Sequence, residues 1–274
     1  MKDRHQDPSR DRNVISSLNH ILDRIWRRFG RQMRHPTGVF GSLVGWCMAL
    51  INDKPNRLAI DALAPGPNDR ILELGFGPGW ALRTIAAHAP GGQFFGIDQS
   101  DRMLEQAANI NQAAIAAGRM QLVKGQFHPL PWIDCTFNKI LLVNVAYFFD
   151  SDGNDAAEVF RVLKPGGRLV VYVTARETMK KWPFASPDTH RTYDSNDLRN
   201  LLENAGFRRA DIGIQTLTLP FGICGLLATA EKFTARLSVT AEEHPTIMPN
   251  KEKIMQPDCR ILPFAPVDKN MDHP

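Results

Sequence analysis

Short apolar runs alternate with segments of helical periodicity from residue 70 onward. The runs predict strands over 70–74, 93–97, 120–125, 140–145 and 168–173, with helices over most of the gaps. After Thr192 a helix is predicted at 195–204, followed by two β-prone stretches at 208–214 and 217–232. Alternating strands and helices are typical of a parallel sheet covered on both faces. We therefore expect an α/β domain with a seven-stranded, mostly parallel sheet.

The segments before and after this pattern differ from it. Residues 1–13 are charged and lack periodicity, which predicts disorder. Apolar residues between 18 and 29 then recur at helical spacing opposite an arginine-rich face, and two further helical stretches follow at 39–51 and 56–63. The last thirty residues carry six prolines. We expect a helical lid in 1–60, a catalytic domain in 61–233 and an irregular tail in 234–274.

Charge and cysteine content exclude several classes of protein. The net charge is +4, and residues 1–36 carry nine Lys/Arg against four Asp, so the basicity belongs to the N-terminal segment. This patch is too modest to indicate nucleic acid. The four cysteines are scattered without metal-ligand spacing, which predicts free thiols and no metal site. With no signal peptide and no apolar run long enough to span a bilayer, we expect a cytoplasmic protein.

A glycine loop follows the first predicted strand and carries the chemistry. Glu73 precedes Gly75, Gly77 and Gly79, and a helix begins after them. Glycines allow a ligand to approach the backbone closely, and the helix presents unpaired N–H groups. A dinucleotide-binding loop would want a third glycine where Trp80 stands, and Glu73 would repel a diphosphate. An NAD-dependent dehydrogenase is thus disfavoured, whereas a ligand with an ammonium group suits Glu73.

The chain resembles the class I S-adenosylmethionine (SAM)-dependent methyltransferases over roughly residues 60–230. The glycine loop is similar to that family's first motif, and Asp98 ends the second strand where the family binds both ribose hydroxyls. Residues 100–104, 125–132 and 162–169 are like three further family segments. The resemblance implies a Rossmann-like fold with SAM as cofactor and S-adenosylhomocysteine as product. The cofactor-binding residues it implies are Glu73, Gly75, Phe76, Gly77, Gly79, Asp98, Gln99, Met103, Gln126, Phe127 and Asn144.

The catalytic residues are predicted from position. Methyl transfer from a sulfonium needs alignment more than acid–base chemistry, so a strong catalytic dyad is not required. Asn144 and Tyr147 follow the fourth strand, beside the expected position of the reacting methyl group. His35 and His190 are the candidates if a base exists. Gln126 departs from the family's usual aspartate but can still accept a hydrogen bond from adenine.

The acceptor is assigned by elimination. The N-P-P-Y-type motif of several nucleic-acid and protein N-methyltransferases is absent, since the fourth strand leads into Asn144-Val-Ala. We expect a small, partly apolar acceptor of the secondary-metabolite type, methylated on O, N or C. Two alternatives stay open: a SAM-binding protein with another reaction or a partner-subunit role, and a lipid-directed methyltransferase whose basic helix contacts a membrane surface. The sequence leaves open whether the protein is a monomer or a homodimer.

Overall fold

A seven-stranded sheet forms the centre of the fold. The computed structural model describes residues 53–182, 185 and 190–234. The strands are β1 Arg70–Leu74, β2 Gln93–Asp98, β3 Met120–Lys124, β4 Phe137–Val143, β5 Leu163–Thr174, β6 Ile212–Leu219 and β7 Ile223–Glu231. Their order is β3-β2-β1-β4-β5-β7-β6, and β7 runs antiparallel to both of its neighbours. The predicted mostly parallel, seven-stranded, Rossmann-like sheet is confirmed.

Helices cover both faces of the sheet. They are α1 at 53–63, α2 Trp80–His88, α3 Asp101–Ile110, α4 Gln112–Ala116, α5 Asn154–Val162, α6 Arg176–Met179 and α7 Ser195–Ala205. Apolar residues of α1, α2 and α3 pack in one core cluster with Ile71 of β1 and Val170 of β5. Residues of α5 and α7 pack in the other cluster with Leu72 and Leu142. Because both faces are covered, the central strands are apolar almost throughout, which explains their continuous hydrophobic pattern.

The helical segment between β2 and β3 is not continuous, because α3 and α4 meet at Asn111. The side-chain amide of Asn111 donates to the Ala107 carbonyl at 2.9 Å and to the Gly79 carbonyl at 3.1 Å. An asparagine side chain that binds backbone carbonyls in this way competes with the regular helix and ends it. The hydrogen bond from Asn111 to Gly79 therefore links the end of α3 to the glycine loop.

The antiparallel strand β7 fits beside β5 through one small residue. Tyr172 of β5 lies across Gly225, where a methyl group would stand 2.6 Å from the ring atom Cε2. That distance is too short for any side chain, so the tyrosine ring occupies the volume that a residue at 225 would need. The Tyr172 side chain is almost completely buried there.

Several expectations fall on residues outside the described part of the chain. These are the disordered start, the helices predicted before residue 53, and the tail beyond residue 234. Within the described residues, no helix combines the length and the hydropathy that crossing a bilayer requires.

Candidate active site

The glycine loop is held by packing at both of its ends. A methyl group at Gly75 would lie 2.9 Å from Cβ of Val145, and one at Gly79 would lie 2.7 Å from Cβ of Ala107. The sequence interpretation gave all three glycines one purpose, the close approach of a ligand. For Gly75 and Gly79 the structure gives another reason, since protein atoms already fill the space beside them.

Gly77 is the glycine that faces open space. Its φ is +52°, and no heavy atom of the described residues lies within 4 Å of the point where a Cβ would stand. Its backbone N–H donates to Oδ2 of Asp98 at 3.0 Å. The loop thus forms a cradle whose backbone is open to a ligand at Gly77. A side chain at this position would occupy part of that space.

Asp98 ends β2 beside this cradle, as predicted. Its Oδ1 accepts from the backbone N–H of Ser100 at 2.9 Å, and Oδ2 accepts from Gly77. Burial raises the pKa of Asp98, while backbone hydrogen bonds from Ser100, Gly77 and Gln99 oppose the rise. Each carboxylate oxygen can accept more than one hydrogen bond, so both can also accept from a diol.

Glu73 is a buried carboxyl group with an unsatisfied oxygen. The residue is 3% exposed, and Oε2 is one of two buried side-chain atoms in the described structure that lack a hydrogen-bond partner. Burial, followed by the nearby charge of Asp98, raises its pKa well above the ordinary range, whereas a hydrogen bond with the backbone of Leu82 opposes the rise. A buried carboxylate needs a cation or several donors, so an ammonium group suits this position.

Three predicted cofactor residues have side chains in the core. Phe76 and Met103 are buried in the cluster beneath α2 and α3, and the Phe76 ring lies close to Gly96. Phe127 packs against Phe149, with ring centroids 6.0 Å apart. The side chains of Phe76 and Met103 therefore pack in the core, and their predicted contact with the cofactor stays a prediction.

Gln99 and Gln126 are more accessible. Gln99 is half-buried directly after Asp98, and Gln126 is exposed in the loop that follows β3. Both lie at the carboxyl end of the sheet, and their contact with adenosine stays a prediction. Sequence reasoning missed Asn111, which holds the Gly79 carbonyl, and Val145, which packs on Gly75. No motif marks either residue, since their roles arise from packing between elements distant in sequence.

The segment after β4 brings Asn144 and Tyr147 together. Asn144 has φ +56°, and its Oδ1 accepts from the Tyr147 hydroxyl at 2.7 Å and from the Thr174 backbone N–H at 3.2 Å. The Tyr147 hydroxyl in turn accepts a short hydrogen bond from the same N–H group. Thr174 ends β5, so this cluster joins the carboxyl ends of two neighbouring strands.

Tyr147 was predicted to act beside the reacting methyl group, and that role stays a prediction. Burial raises the pKa of its hydroxyl far above the ordinary tyrosine value, and both hydrogen-bond partners are protein groups. Such a hydroxyl stays protonated and is unsuited to act as a base. His190 is 3% exposed and lies beside Phe148, with ring centroids 5.1 Å apart. Its predicted role stays open, and His35 lies outside the described residues.

Comparison with known proteins assigns the domain. Residues 71–167 match the family model of the methyltransferase domain. The uncharacterized methyltransferase YdaC of Bacillus subtilis (strain 168) is 27% identical over 190 residues, which make up 69% of this chain and 98% of YdaC. This segment is therefore similar to known methyltransferase domains. It contains the glycine loop, Glu73 and Asp98.

Two further similarities concern parts of the methyltransferase domain. The ubiquinone/menaquinone biosynthesis C-methyltransferase UbiE of Geotalea daltonii is 32% identical over 116 residues, so the match spans 42% of this chain and about half (49%) of UbiE. The crystal structure of the cyclase SpnF matches with a TM-score of 0.56 and 18% identity, over 66% of this chain and 80% of SpnF. At that identity the likeness concerns the fold alone.

The residues present fit the cofactor of this family. The unsatisfied Oε2 of Glu73 is placed to receive an ammonium group, and Asp98 offers two carboxylate oxygens to a ribose. The open space at Gly77 lies between them along the chain. A ligand with an amino-acid end and a nucleoside end matches this order of groups.

Proposed function

We propose that this chain transfers a methyl group from SAM to a small, partly apolar acceptor. The observation that carries the proposal is the buried Glu73 carboxyl, which has an unsatisfied oxygen and lies beside a glycine cradle open at Gly77. Folding a protein around an unsatisfied buried carboxyl costs stability, so a ligand group that completes it is expected. Asp98 adds a second carboxylate at the end of the neighbouring strand.

Different residues of the chain would bind different parts of SAM. Glu73 would hold the ammonium group, Asp98 would accept from both ribose hydroxyls, and the Gly77 backbone would lie against the ligand. SAM would supply a methyl group already activated by the positive sulfonium. Val145, which abuts the loop at Gly75, and the preceding Asn144 would then border the acceptor. The protein's contribution is alignment and exclusion of water, because no strong base is required.

The nature of the acceptor follows from the side chains around the end of β4. Phe148 and Trp182 are half-buried and pack on the core from this edge, so they would offer an apolar wall. A match to a quinone C-methyltransferase over half of its length is consistent with such an acceptor. We include in the proposal that residues 61–233 form the catalytic domain and that 1–60 supply a lid.

Calorimetric titration with SAM, S-adenosylhomocysteine and NAD tests the proposal. Binding of the first two ligands in the micromolar range, without binding of NAD, is the expected result. If neither SAM nor S-adenosylhomocysteine binds, the proposal fails. Binding of SAM without release of S-adenosylhomocysteine in the presence of a broad set of phenols, quinols and amines would favour the alternative of a SAM-binding protein with a different reaction.

A further inference from the structure

Two side chains of α5, Glu158 and Arg161, hold the loop that leads from β3 to β4. This loop, residues 125–136, has no regular secondary structure. Oε2 of Glu158 accepts from the backbone N–H of Leu130 at 2.7 Å. Arg161 donates to the carbonyl of Leu130 at 3.2 Å and to the carbonyl of Trp132 at 2.8 Å. The two side chains therefore bind three backbone groups of the loop.

The end of α5 binds the next part of the same loop. The last carbonyl groups of a helix have no partner within it and need one elsewhere. The Arg161 carbonyl accepts from the Cys135 N–H at 3.1 Å, and the Val162 carbonyl accepts from the Thr136 N–H at 2.8 Å. The second half of the loop is thus fixed on α5 through side chains and backbone together.

The ion pair between Glu158 and Arg161 suits this task. Nε and Nη2 of the arginine donate to the two carboxylate oxygens at 2.6 and 2.8 Å. This pairing holds the pKa of Glu158 below its usual value, although partial burial opposes the shift. A planar guanidinium binds a carboxylate and neighbouring carbonyls at once, which the ammonium group of a lysine does not reproduce. Holding the loop therefore depends on the shape of the arginine as well as on its charge.

The first half of the loop lies beside the candidate cofactor site. The backbone N–H of Gly125 donates to the backbone carbonyl of Asp98 at 2.9 Å. The Phe127 ring is buried, and its Cζ lies 3.7 Å from the point where a Cβ on Gly75 would stand. The backbone N–H groups of residues 126–128 donate to no other described residue. This half of the loop therefore leaves donors for a ligand next to the two carboxyl-end elements of the site.

A nucleoside bound at Asp98 would place its base near these donors. The base is bonded to the ribose carbon next to the one that carries the 2′-hydroxyl. Residues 126–128 follow Gly125 at about 3.8 Å per residue, so they are within reach of such a base. The Gln126 side chain can turn its amide to meet either a donor or an acceptor, and so it discriminates poorly between bases. A backbone N–H can only donate, and the conformation of the loop sets its direction.

We propose that Glu158 and Arg161 are positioning residues, which hold a backbone N–H of residues 126–128 toward the base and thereby make the site select adenine over hypoxanthine. N1 of adenine accepts a hydrogen bond, whereas N1 of hypoxanthine carries a hydrogen. A loop that shifts loses the direction of its donor, and the selection is lost with it. The inference rests on the proposed function, since it needs a nucleoside at Asp98.

Two ligands that differ only in the base measure this selection. S-adenosylhomocysteine carries adenine, and S-inosylhomocysteine carries hypoxanthine on the same ribose and amino acid. The wild-type protein should bind the first about tenfold more tightly or better, as measured by calorimetry. A smaller population of the binding-competent state weakens both affinities by one factor and leaves their ratio unchanged. The ratio therefore separates positioning of the loop from a merely structural role.

Two conservative variants weaken the hold on the loop. Arg161→Lys keeps the positive charge but loses the planar fork, and Glu158→Gln keeps an acceptor for the loop but loses the ion pair. Each should reduce the ratio by about threefold or more. Arg168→Lys is the matched control and should leave the ratio unchanged. Arg168 also binds a carboxylate, of Glu231 at 2.7 Å, and a backbone carbonyl, of Ala62 at 3.2 Å, but on β7 and α1 rather than on the loop.

The outcomes separate the inference from the function beneath it. A reduced ratio in Arg161→Lys and Glu158→Gln, with the wild-type ratio in Arg168→Lys, supports the inference. Either loop variant overturns it if a thermal melt shows that the variant is folded and the ratio stays at the wild-type value. A wild-type protein that binds both ligands equally also overturns it. If the wild-type protein binds neither ligand, the proposed function fails, and the inference fails with it.

Discussion

Gly77 and Asp98 are joined by a 3.0 Å hydrogen bond from the backbone nitrogen of the loop to Oδ2 of the carboxylate. The carboxylate that would bind the ribose is therefore also a support of the loop that receives the rest of the ligand. Since Ser100 donates to the other oxygen, both oxygens combine structural and binding roles. Substitutions at Asp98 should consequently affect binding and stability together.

The first prediction concerns Asp98→Ala. We expect it to weaken SAM binding by about 1.5–3 kcal/mol, because it removes the acceptor of both hydroxyls. It should also lower the melting temperature, since the backbone N–H groups of Gly77 and Ser100 lose their partner. Calorimetry and thermal denaturation measure the two effects. Asp101→Ala is the control, because that exposed carboxylate pairs with Lys124 on the surface, and unchanged affinity in Asp98→Ala would show that the ribose lies elsewhere.

The second prediction compares two glycines of similar conformation. Gly77 has φ +52° and Gly118 has φ +67°, and no described heavy atom lies within 4 Å of a Cβ at either position. Replacement by alanine should cost each about 1–2 kcal/mol of unfolding free energy from backbone strain. SAM binding should be strongly weakened in Gly77→Ala alone. Equal affinities of the two variants, measured by calorimetry, would contradict the proposed cradle.

The third prediction is a pH dependence from Glu73. Burial raises its folded pKa above the unfolded value, so its stabilising contribution is fully present below the ordinary carboxyl pKa. That contribution is lost as pH rises through the raised folded value. In the ligand-free protein, Glu73→Gln should therefore lose less stability than wild type between about pH 5 and pH 9. Thermal melts across that range measure the difference.

Whereas Glu73→Gln should make the stability less sensitive to pH, the same substitution should weaken ligand binding. Glu73→Gln removes the charge that would meet an ammonium group, so SAM affinity should fall by about tenfold or more at alkaline pH. Glu105→Gln is the control, because that carboxylate pairs with Arg102 on the exposed face of α3. A Glu73→Gln variant with wild-type affinity and the wild-type pH profile of melting would refute this role.

The fourth prediction contrasts two buried tyrosines. Within the described structure no partner of the Tyr172 hydroxyl meets hydrogen-bond geometry, and burial raises its pKa to about 12 although the Thr174 side chain nearby opposes the rise. Tyr172→Phe should raise the free energy of unfolding by about 1 kcal/mol, because an unsatisfied buried group is removed. Tyr193→Phe should lower it by a similar amount, since a hydrogen bond to Ala146 is lost. Urea denaturation would measure both, and a destabilised Tyr172→Phe would show that the hydroxyl has a partner.

The sequence predicted the sheet well because its signal is local. Each strand is a short apolar run bounded by polar or glycine residues, and β1 has the predicted bounds of Arg70–Leu74. Boundaries that depend on tertiary contacts were less accurate. The fourth strand begins at Phe137 rather than at 140, because Phe137 packs in the core beneath Trp132. Polar residues at 138 and 139 concealed this start.

The site was predictable where a motif exists and obscure where packing decides. Glu73 and Asp98 follow from their positions at strand ends, but the missing partner of Glu73 could not be read from any spacing. The sequence also does not reveal that the hydroxyl of Tyr147, a catalytic candidate, turns inward to Asn144. Polarity at a strand end identifies a residue as functional without indicating which way it faces.

The contact between Tyr172 and Gly225 has a consequence for how this protein can evolve. The Tyr172 ring on β5 fills the space that a side chain at Gly225 on β7 would need. A larger residue at 225 becomes tolerable only after the ring at 172 has shrunk, and a lineage that loses the ring gains freedom at 225. Mutational scanning of single positions would record 225 as intolerant as long as the ring at 172 is present. A library that varies residues 172 and 225 together would recover tolerated combinations that scans of single positions miss.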